Sequence, residues 1–386
     1  MMDFQLTPEQ EELRQSVREL IDKECPKYYA RRLDRQGEFP HDLWRKIAHR
    51  GWLGLPVPRE YGGLGGNIFD MALFLEELSR GMFAPAMTYL ISSVFGASSV
   101  GHHGSEEQKR FYLPRLASGE IKFAFALTEP HSGTDALGMT TWARRDGDHY
   151  VIQGPKIFVT AAQMADYILT ICRTSQDPQR KSHGISMFIV DAKSPGITPR
   201  MLDILGGRSV GTTTIVYKRV RVPASGLLGE ADRGWHQLVH TLNNERISIA
   251  AMAIGVAQAA FEDALRFAKR RIAFDKPIGQ FQSIQHYLAN MAASLEYSRL
   301  LTYKAAWMQS LGKPCGVEAT MAKMVASDMA CQVTHLGMQI LGGYSYLMGC
   351  DMQRYWRDAR LLTIGPISNE MARNFIAMDL GLPRSY

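Results

Sequence analysis

The sequence lacks the long apolar runs of a membrane protein, and its first residues do not show the pattern of a secretory leader. Its longest nearly apolar stretch, residues 247–257, is about half of the roughly 20 residues that span a bilayer. That stretch is rich in alanine and glycine, so we expect a buried helix. The amino terminus carries no basic segment followed by an apolar one, so we expect no secretory signal. Membrane, collagen-like and disordered classes are therefore excluded by composition.

Cysteine is also scarce, with 5 residues in 386, and no two of them form a CxxC pair. This predicts neither a disulfide framework nor a metal centre, and it suits a cytoplasmic protein. The formal charge of +6 is diffuse, with no basic stripe interleaved with aromatic residues. We therefore expect no nucleic-acid partner, although a polyanionic ligand fits the charge.

Helix signals dominate the first third of the chain. Thr7 and Pro8 open a helix, and Gln10 occupies the capping-box position. A second helix is predicted from His41 to His49, and two or three more between Phe69 and Leu116. Residues 62–66 are glycine-rich but match no phosphate-loop spacing, so we interpret them as a plain loop.

The pattern changes near Phe123 and changes back near Trp235. Between these points short β-branched and aromatic runs alternate with turn residues, at 150–152, 157–159, 167–171, 185–191 and 214–222. This spacing predicts an antiparallel barrel or sandwich. The order is helices, strands and helices, which is not a βαβ alternation. We therefore predict an α+β protein with an α-helical domain at 1–122, a β-domain at 123–232 and an α-helical domain at 233–386.

Glu245 lies within an apolar helical stripe formed by Leu238, Leu242, Ile249, Met252 and Val256. A carboxylate on an apolar face is costly to ionise, so its pKa rises, which suits a general base near neutral pH. The same position also fits a structural ion pair with Arg246 or another basic residue. Spacing alone leaves both interpretations open.

A second candidate cluster runs from Phe125 to Asp135, where an apolar strand meets a hydroxyl-rich turn. Such a turn offers N–H groups and hydroxyls to an anionic or carbonyl-rich ligand. An ordinary capped turn is the alternative interpretation.

Residues 127–135 of this cluster resemble the TEPxxGSD signature of the acyl-CoA dehydrogenase family. Further segments resemble that family's motifs in the same order, namely the opening Asp3 to Gln10, then 156–160, 271–285, 339–344 and 356–360. The resemblance covers essentially the whole chain. It implies a middle β-domain followed by a C-terminal four-helix bundle.

The family resemblance implies an FAD enzyme that oxidises an acyl-CoA thioester to the 2,3-enoyl-CoA. A base removes the proton next to the thioester carbonyl, and the flavin accepts hydride from the next carbon. Electrons then pass to an electron-transfer flavoprotein. A homotetramer, or a homodimer, is the implied assembly.

Site residues carry over from the resemblance position by position. Around the flavin ring the resemblance implies Phe125, Leu127, Thr128, Phe158 and Thr160. For the FAD of a neighbouring subunit it implies Arg271, Phe274, Gln282, Gln339, Leu341, Gly342 and Gly343. On the last loop it implies FAD contacts by Ser368 and Glu370. For acyl-CoA it implies Thr134, Asn243 and Arg246. Simple core packing remains the alternative for Leu127, Phe158 and Phe274.

Pro366 departs from the family pattern, because it stands where the commonest base of the family, a glutamate, would lie. Proline can neither abstract a proton nor donate an N–H to the thioester carbonyl. Members resembling isovaleryl- and long-chain acyl-CoA dehydrogenases place the base on the earlier helix instead. Asn243-Asn244-Glu245-Arg246 matches that position, so Glu245 is our predicted catalytic base.

Two other functions remain open at this stage. One is a related flavoprotein that reduces an enoyl-CoA, or that uses oxygen as an oxidase or monooxygenase. The other is a catalytically degenerate subunit that binds acyl-CoA or FAD. Retention of Glu245 argues against the degenerate subunit, whereas Pro366 argues for it. The length of the acyl chain is not predictable from these motifs.

Overall fold

The first helix begins where the sequence predicts, because Thr7 caps it. The Thr7 hydroxyl accepts a hydrogen bond from the Gln10 backbone, and the Gln10 side chain accepts one from the Thr7 backbone. This reciprocal pair is the predicted capping box. The computed structural model describes residues 5–239 and 241–384. Asp3 and Phe4 of the opening motif lie outside the described residues.

The helices before the sheet include the predicted one from His41 to His49. They are α1 (Pro8–Glu24), α2 (Lys27–Gln36), α3 (His41–His49), α4 (Ile68–Gly81), α5 (Phe83–Tyr89), α6 (Ser98–His103) and α7 (Glu106–Ser118). A π-helical segment, Leu90–Ala97, joins α5 to α6. The region from Phe69 to Leu116, predicted to hold two or three helices, therefore contains more helical segments than predicted. The reason is that the backbone hydrogen-bond pattern changes from α-helical to π-helical and back within it.

The middle of the chain forms one mixed sheet of eight strands. The strands are β1 (Phe123–Ala126), β2 (Trp142–Asp146), β3 (His149–Thr160), β4 (Tyr167–Arg173), β5 (Ile185–Asp191), β6 (Ile197–Met201), β7 (Thr212–Pro223) and β8 (Leu227–Leu228). Their order is β6-β7-β3-β2-β4-β5-β8, with β1 against β4.

The sheet differs from the predicted antiparallel arrangement at β4. Its pairings with β1 and β2 are parallel, whereas the other ladders of the sheet are antiparallel. The two predicted runs at 150–152 and 157–159 are one strand, β3, which is interrupted by two irregularities in its register against β7. The second irregularity, between Lys156 and Val159, lies at the candidate site.

The C-terminal helices form the predicted bundle, in which α9 to α12 pack on one another. The elements are α8 (Gly234–Val239), α9 (Leu242–Arg270), β9 (Ile272–Ala273), β10 (Lys276–Pro277), α10 (Gln282–Ser310), α11 (Gly316–Leu341), α12 (Met352–Ile364) and α13 (Asn369–Asp379). The first strand begins at Phe123 and the first C-terminal helix at Gly234. We keep the boundaries 1–122, 123–232 and 233–386 as a proposal.

Two helical stretches have the length and apolar composition of a bilayer span. They are Phe83–His103 and Gly234–Arg270. The most apolar window of the first is 100% buried inside the molecule, and that of the second is 78% buried. The predicted stretch 247–257 lies in α9, and every residue of it is buried. Most of each apolar window is therefore covered by protein, as in core helices.

Arg357 joins the three parts of the fold. Its guanidinium pairs with the buried Asp34 of α2 and donates a 2.8 Å hydrogen bond to the Leu205 carbonyl. The neighbouring Asp358 accepts a 2.7 Å bond from the Gly207 backbone. Because both side chains lie on α12, these contacts hold the C-terminal bundle against the first helices and the loop before β7.

Gly255 allows α9 to approach α4 closely. A Cβ atom added there would lie 2.1 Å from the Glu76 carbonyl oxygen and 2.2 Å from the Ser79 hydroxyl. We therefore expect Gly255→Ala to lower the free energy of unfolding by about 1–3 kcal/mol, measured by urea denaturation. Gly101 is the matched control, because a Cβ there meets nothing within 4 Å. Gly101→Ala should raise stability by about 0.5–1 kcal/mol. Equal stability in the two variants would contradict the close approach.

Candidate active site

Glu245 lies in the first turn of α9 with its side chain turned into the protein. The residue is 6% exposed. Within residues 5–239 and 241–384, no group hydrogen-bonds or ion-pairs with its carboxylate. Burial raises the pKa of Glu245 to about 8, although the positive charges of Arg246 and Lys323 act in the opposite direction. A carboxyl in this state can gain and lose a proton near neutral pH.

Asn243 and Arg246 flank Glu245 in the first turn of α9, and their predicted contact with acyl-CoA stays a prediction. The Arg246 guanidinium donates a 3.4 Å hydrogen bond to Asn243 Oδ1 and lies 5.4 Å from the centre of the Phe375 ring. The Asn243 amide contacts the Cys315 sulfur at 3.8 Å. Burial lowers the pKa of Arg246, and the Glu245 charge opposes that shift. A half-buried cation therefore stands next to the carboxyl without being paired to it.

Within the described part of the chain, no hydrogen bond or ion pair joins Thr134 to Glu245, Asn243 or Arg246. It lies in the exposed turn that follows β1. Its predicted contact with acyl-CoA stays a prediction.

The loop between α12 and α13 carries Pro366, Ser368 and Glu370. The Ser368 hydroxyl caps α13 by accepting a 3.2 Å hydrogen bond from the Met371 backbone. Glu370 is exposed in the first turn of that helix, where its own backbone N–H and the Ser368 hydroxyl lower its pKa. Both residues thus have a local role in starting α13, and their contact with FAD stays a prediction.

The residues predicted around the flavin ring lie on β1, on the segment after it and on β3. The Phe125 ring stacks on Phe95 of the π-helical segment at 4.9 Å. Leu127 is half-buried and packs against the core. Phe158 is 63% exposed and has a φ of 56°, because the register irregularity of β3 turns it out of the sheet. Simple core packing is therefore wrong for Phe158.

Two threonine hydroxyls belong to the same group. The Thr128 hydroxyl makes no hydrogen bond within the described residues, and that of Thr160 lies 3.4 Å from the Thr212 hydroxyl. An exposed aromatic face together with the unbonded Thr128 hydroxyl suits a planar heteroaromatic ring with polar edges. These residues therefore fit the isoalloxazine of FAD.

A buried ion pair supports this group from behind. Lys156 of β3 is fully buried, and its ammonium donates to Glu129 Oε1 at 2.8 Å and to the Leu127 carbonyl at 2.7 Å. The Ile157 N–H donates to the Thr128 carbonyl at 2.9 Å. The carbonyl groups of residues 127 and 128 are thus both held by β3.

The remaining predicted FAD contacts lie on the C-terminal bundle. The Arg271 guanidinium lies 5.9 Å from the centre of the Tyr344 ring. Phe274 is 87% exposed, so core packing is wrong for this residue as well. A Cβ on Gly342 or Gly343 would meet nothing within 4 Å, so the backbone there is open to a ligand. Gln282 and Gln339 lie at the start of α10 and near the end of α11, and Leu341 is buried. An exposed guanidinium beside open glycine backbone suits a phosphate group.

Lys323 is a buried charged residue near the candidate site that sequence reasoning missed. It is fully buried on α11, and the negative charge of Glu245 acts to raise its pKa, against the lowering by burial. The available signal was a lone lysine among small apolar residues at helical spacing, namely Ala319, Ala322, Ala326 and Ala330. No group of three or more His, Cys, Asp or Glu residues that could hold a metal occurs in the described residues.

Comparison with known families matches nearly the whole chain. Residues 7–120 match the family model "Acyl-CoA dehydrogenase, N-terminal domain", and residues 124–220 match the middle domain. Residues 232–381 match the C-terminal domain of the same family.

Individual relatives and solved structures agree with these matches. A probable acyl-CoA dehydrogenase of Bacillus subtilis, YngJ, is 40% identical, covering 98% of this chain and 100% of its own. A caffeyl-CoA reductase-Etf complex subunit, CarC, of Acetobacterium woodii is 36% identical over 91% of this chain and 93% of its own. Butyryl-CoA dehydrogenase from Megasphaera elsdenii has a TM-score of 0.94 at 35% identity, covering 99% of this chain and 100% of its own. A glutaryl-CoA dehydrogenase from Mycobacterium smegmatis, solved in complex with FADH2, has a TM-score of 0.92 at 27% identity, covering 99% of this chain and 96% of its own.

The helical, β-sheet and helical parts of the fold correspond in order to the three matched domains. The chain belongs to the acyl-CoA dehydrogenase family of FAD-dependent oxidoreductases.

Proposed function

We propose that this enzyme oxidises an acyl-CoA thioester to the 2,3-enoyl-CoA, with Glu245 as the catalytic base and an electron-transfer flavoprotein as electron acceptor. The observation that carries the proposal is the state of Glu245. Its carboxyl is buried, carries no hydrogen bond within the described residues, and has a pKa raised to about 8. A buried carboxylate with a structural role would be hydrogen-bonded or ion-paired, whereas the Glu245 carboxylate remains free to accept a proton.

Glu245 would take up the proton from the carbon next to the thioester carbonyl. Such a proton is weakly acidic, and a base whose pKa lies near the working pH is best matched to its removal. The cations Arg246 and Lys323 stand near the carboxyl, which helps Glu245 to reach its charged, proton-accepting form. Asn243 holds the guanidinium of Arg246 in place by a hydrogen bond.

FAD, when bound, supplies the acceptor for the electron pair that leaves the adjacent carbon. On this chain, Phe125, Leu127, Thr128, Phe158 and Thr160 would hold its ring system. For the FAD of a second subunit, the chain offers Arg271, Phe274, Gln282, Gln339, Leu341, Gly342 and Gly343.

Pro366 constrains how the thioester carbonyl is held. It removes one backbone donor from the loop before α13, and a lost oxyanion donor costs about 3–4 kcal/mol of barrier. We infer that another donor acts in its place, from a neighbouring loop residue or from the ligand itself.

The electron acceptor and the assembly are part of the proposal. An electron-transfer flavoprotein is supported by the relative from Acetobacterium woodii, whose name describes a reductase-Etf complex. A homotetramer, or a homodimer, is supported by the exposed Phe274 and Tyr346, which are 87% and 86% exposed on the single chain. A cytoplasmic location suits the five cysteines, none of which is in a disulfide.

Anaerobic titration of the FAD-bound enzyme with acyl-CoA thioesters of different chain length tests this proposal. We expect one class of acyl chain to bleach the flavin absorbance and give a charge-transfer band. Electron transfer to an electron-transfer flavoprotein should then restore the flavin absorbance. The preferred chain length defines the substrate.

Other outcomes of the titration contradict the proposal. If no acyl-CoA bleaches the flavin, and the chemically reduced enzyme is reoxidised rapidly by air, an oxygen-using activity is favoured. If only an enoyl-CoA reacts, by reoxidising the reduced enzyme, the physiological direction is reductive. Tight acyl-CoA binding without any change in the flavin indicates a degenerate binding subunit.

A further inference from the structure

We propose that Lys323 is a positioning residue that holds the loop carrying Pro366 and at the same time supplies the counter-charge for Glu245. The inference rests on the proposed role of Glu245 as the base. It gives Lys323 of α11 a role in the active site that no residue of the family motifs has.

Lys323 holds the loop by two hydrogen bonds from its ammonium. One goes to the backbone carbonyl of Ile367, next to Pro366, and the other goes to Asn369 Oδ1 at 2.8 Å. The lysine has no solvent-exposed surface and lies among the small side chains of its own helix. The loop therefore rests on a buried cation, although Pro366 itself can donate no hydrogen bond.

Two neutral acceptors do not compensate a buried positive charge, so an anion is required nearby. The helices α9 and α11, which carry Glu245 and Lys323, pack directly on one another. The carboxylates of Asp328, Glu245 and Glu370 favour the charged form of Lys323, Asp328 most strongly, and the cation Arg246 opposes them. Asp328 is already bound by Arg373 and by the Asn369 amide, both at 2.7 Å. Glu370 is exposed on the first turn of α13. Among the described residues facing Lys323, Glu245 is thus the buried carboxyl that no other group engages.

The two buried groups stabilise each other's charged forms. Burial raises the pKa of Glu245 and lowers that of Lys323, each to about 8, and the attraction between them opposes both shifts. Removing the ammonium therefore leaves the carboxylate with Arg246 as its remaining positive neighbour. The base should then require a higher pH to lose its proton.

Asn369 provides a control that separates the two roles. It anchors the same loop through Lys323, Ser327 and Asp328, and it is 2% exposed, but it carries no charge. Asn369→Ala should loosen the loop and leave the counter-charge in place. Lys323→Gln keeps a donor for the loop and loses the charge, and Lys323→Arg keeps the charge.

The pH dependence of kcat/KM is the first measurement, because its acidic limb reports the base of the free enzyme. Lys323→Gln and Lys323→Met should move that limb to higher pH by about one unit, which lowers kcat/KM about tenfold on the acidic side. In Lys323→Arg the limb should stay near its wild-type position. Asn369→Ala should lower kcat without moving the acidic limb.

Unfolding at different pH values gives a readout that does not depend on turnover. The raised pKa of Glu245 stabilises the fold below the unfolded value of 4.5, and this contribution is lost as pH rises through about 8. The lowered pKa of Lys323 acts the other way, because its contribution is lost as pH falls through about 8. When the pH rises from 5 to 9, the Lys323→Met protein should therefore lose more of its free energy of unfolding than the wild-type protein loses. Adding Glu245→Gln should abolish that extra loss.

The inference is wrong if Lys323→Gln and Lys323→Met leave the acidic limb at its wild-type pH. It is also wrong if Lys323→Arg or Asn369→Ala moves the limb as far as these neutral variants do. Its failure is distinguishable from failure of the proposed function. Wild-type turnover by Glu245→Gln would reject Glu245 as the base. An inactive Glu245→Gln combined with an unmoved limb in Lys323→Gln would reject only the role of Lys323.

Discussion

Glu245→Gln should retain FAD and lose turnover by about 10²–10⁴-fold, the usual contribution of a general base. Glutamine matches glutamate in size but cannot accept the proton at neutral pH. Because the Glu245 carboxyl makes no hydrogen bond within the described residues, its replacement breaks no hydrogen bond there, although it removes a negative charge that acts on Lys323. The fold and the flavin site should therefore survive the change.

The rate of flavin reduction in a single anaerobic turnover measures this effect directly, and the FAD content is read from the same sample. Glu76→Gln is the matched control, since Glu76 is also buried and also has a raised pKa, caused by burial. Glu76 is bound by Arg299 at 3.0 Å and Tyr303 at 2.9 Å, so its loss should change stability and leave turnover near wild type. Near-normal flavin reduction in Glu245→Gln would reject the base assignment.

Local signals account for the parts of the fold that could be predicted. The capping box of Thr7 and Gln10 and the helix His41–His49 depend on neighbours within a few residues. The burial of Glu245 follows from its spacing with Ile249, Met252 and Val256 on α9. Each of these features is specified within a single element, so the sequence alone contains the required information.

Contacts between distant segments account for what could not be predicted. Lys323 finds Ile367 and Asn369 across 44 and 46 residues of chain, and no periodicity in α11 indicates that pairing. The parallel pairing of β1 with β4 likewise depends on tertiary packing. Gly154 and Pro155 resemble a break between two strands, whereas β3 accommodates them through an irregularity in its register. Only its motif indicated that Phe158 is not a core residue, because an aromatic residue in a strand is otherwise typical of a core position.

Lys156 is the second residue whose replacement should have a large effect. Lys156→Met should lower the free energy of unfolding by about 3–5 kcal/mol, because it leaves the Glu129 carboxylate buried without its cation. The side chains of Lys156 and Glu129 are 0% and 3% exposed. Glu129 also accepts hydrogen bonds from the Thr140 backbone at 2.6 Å and the Thr141 backbone at 2.9 Å. Burial acts to raise the pKa of Glu129, but Lys156 and these bonds hold it at about 2.

The same change should weaken FAD binding, which a purely distant defect would not do. Without the ammonium, the Leu127 carbonyl loses its donor, so the segment that presents Leu127 and Thr128 is no longer held at both carbonyls. Urea denaturation measures the stability, and FAD retained after gel filtration of the folded protein measures the binding. Lys218→Met, on the exposed face of β7, is the control and should match wild type in both measurements.

A double variant separates the charge from the volume of the side chain. Lys156→Met combined with Glu129→Gln removes both charges, so it should recover part of the stability lost in Lys156→Met alone. It should not recover FAD binding to the same extent, because the Leu127 carbonyl still lacks its donor. Wild-type stability in Lys156→Met would contradict the buried ion pair. Lost stability with unchanged FAD retention would show that the pair supports the sheet without positioning the flavin segment.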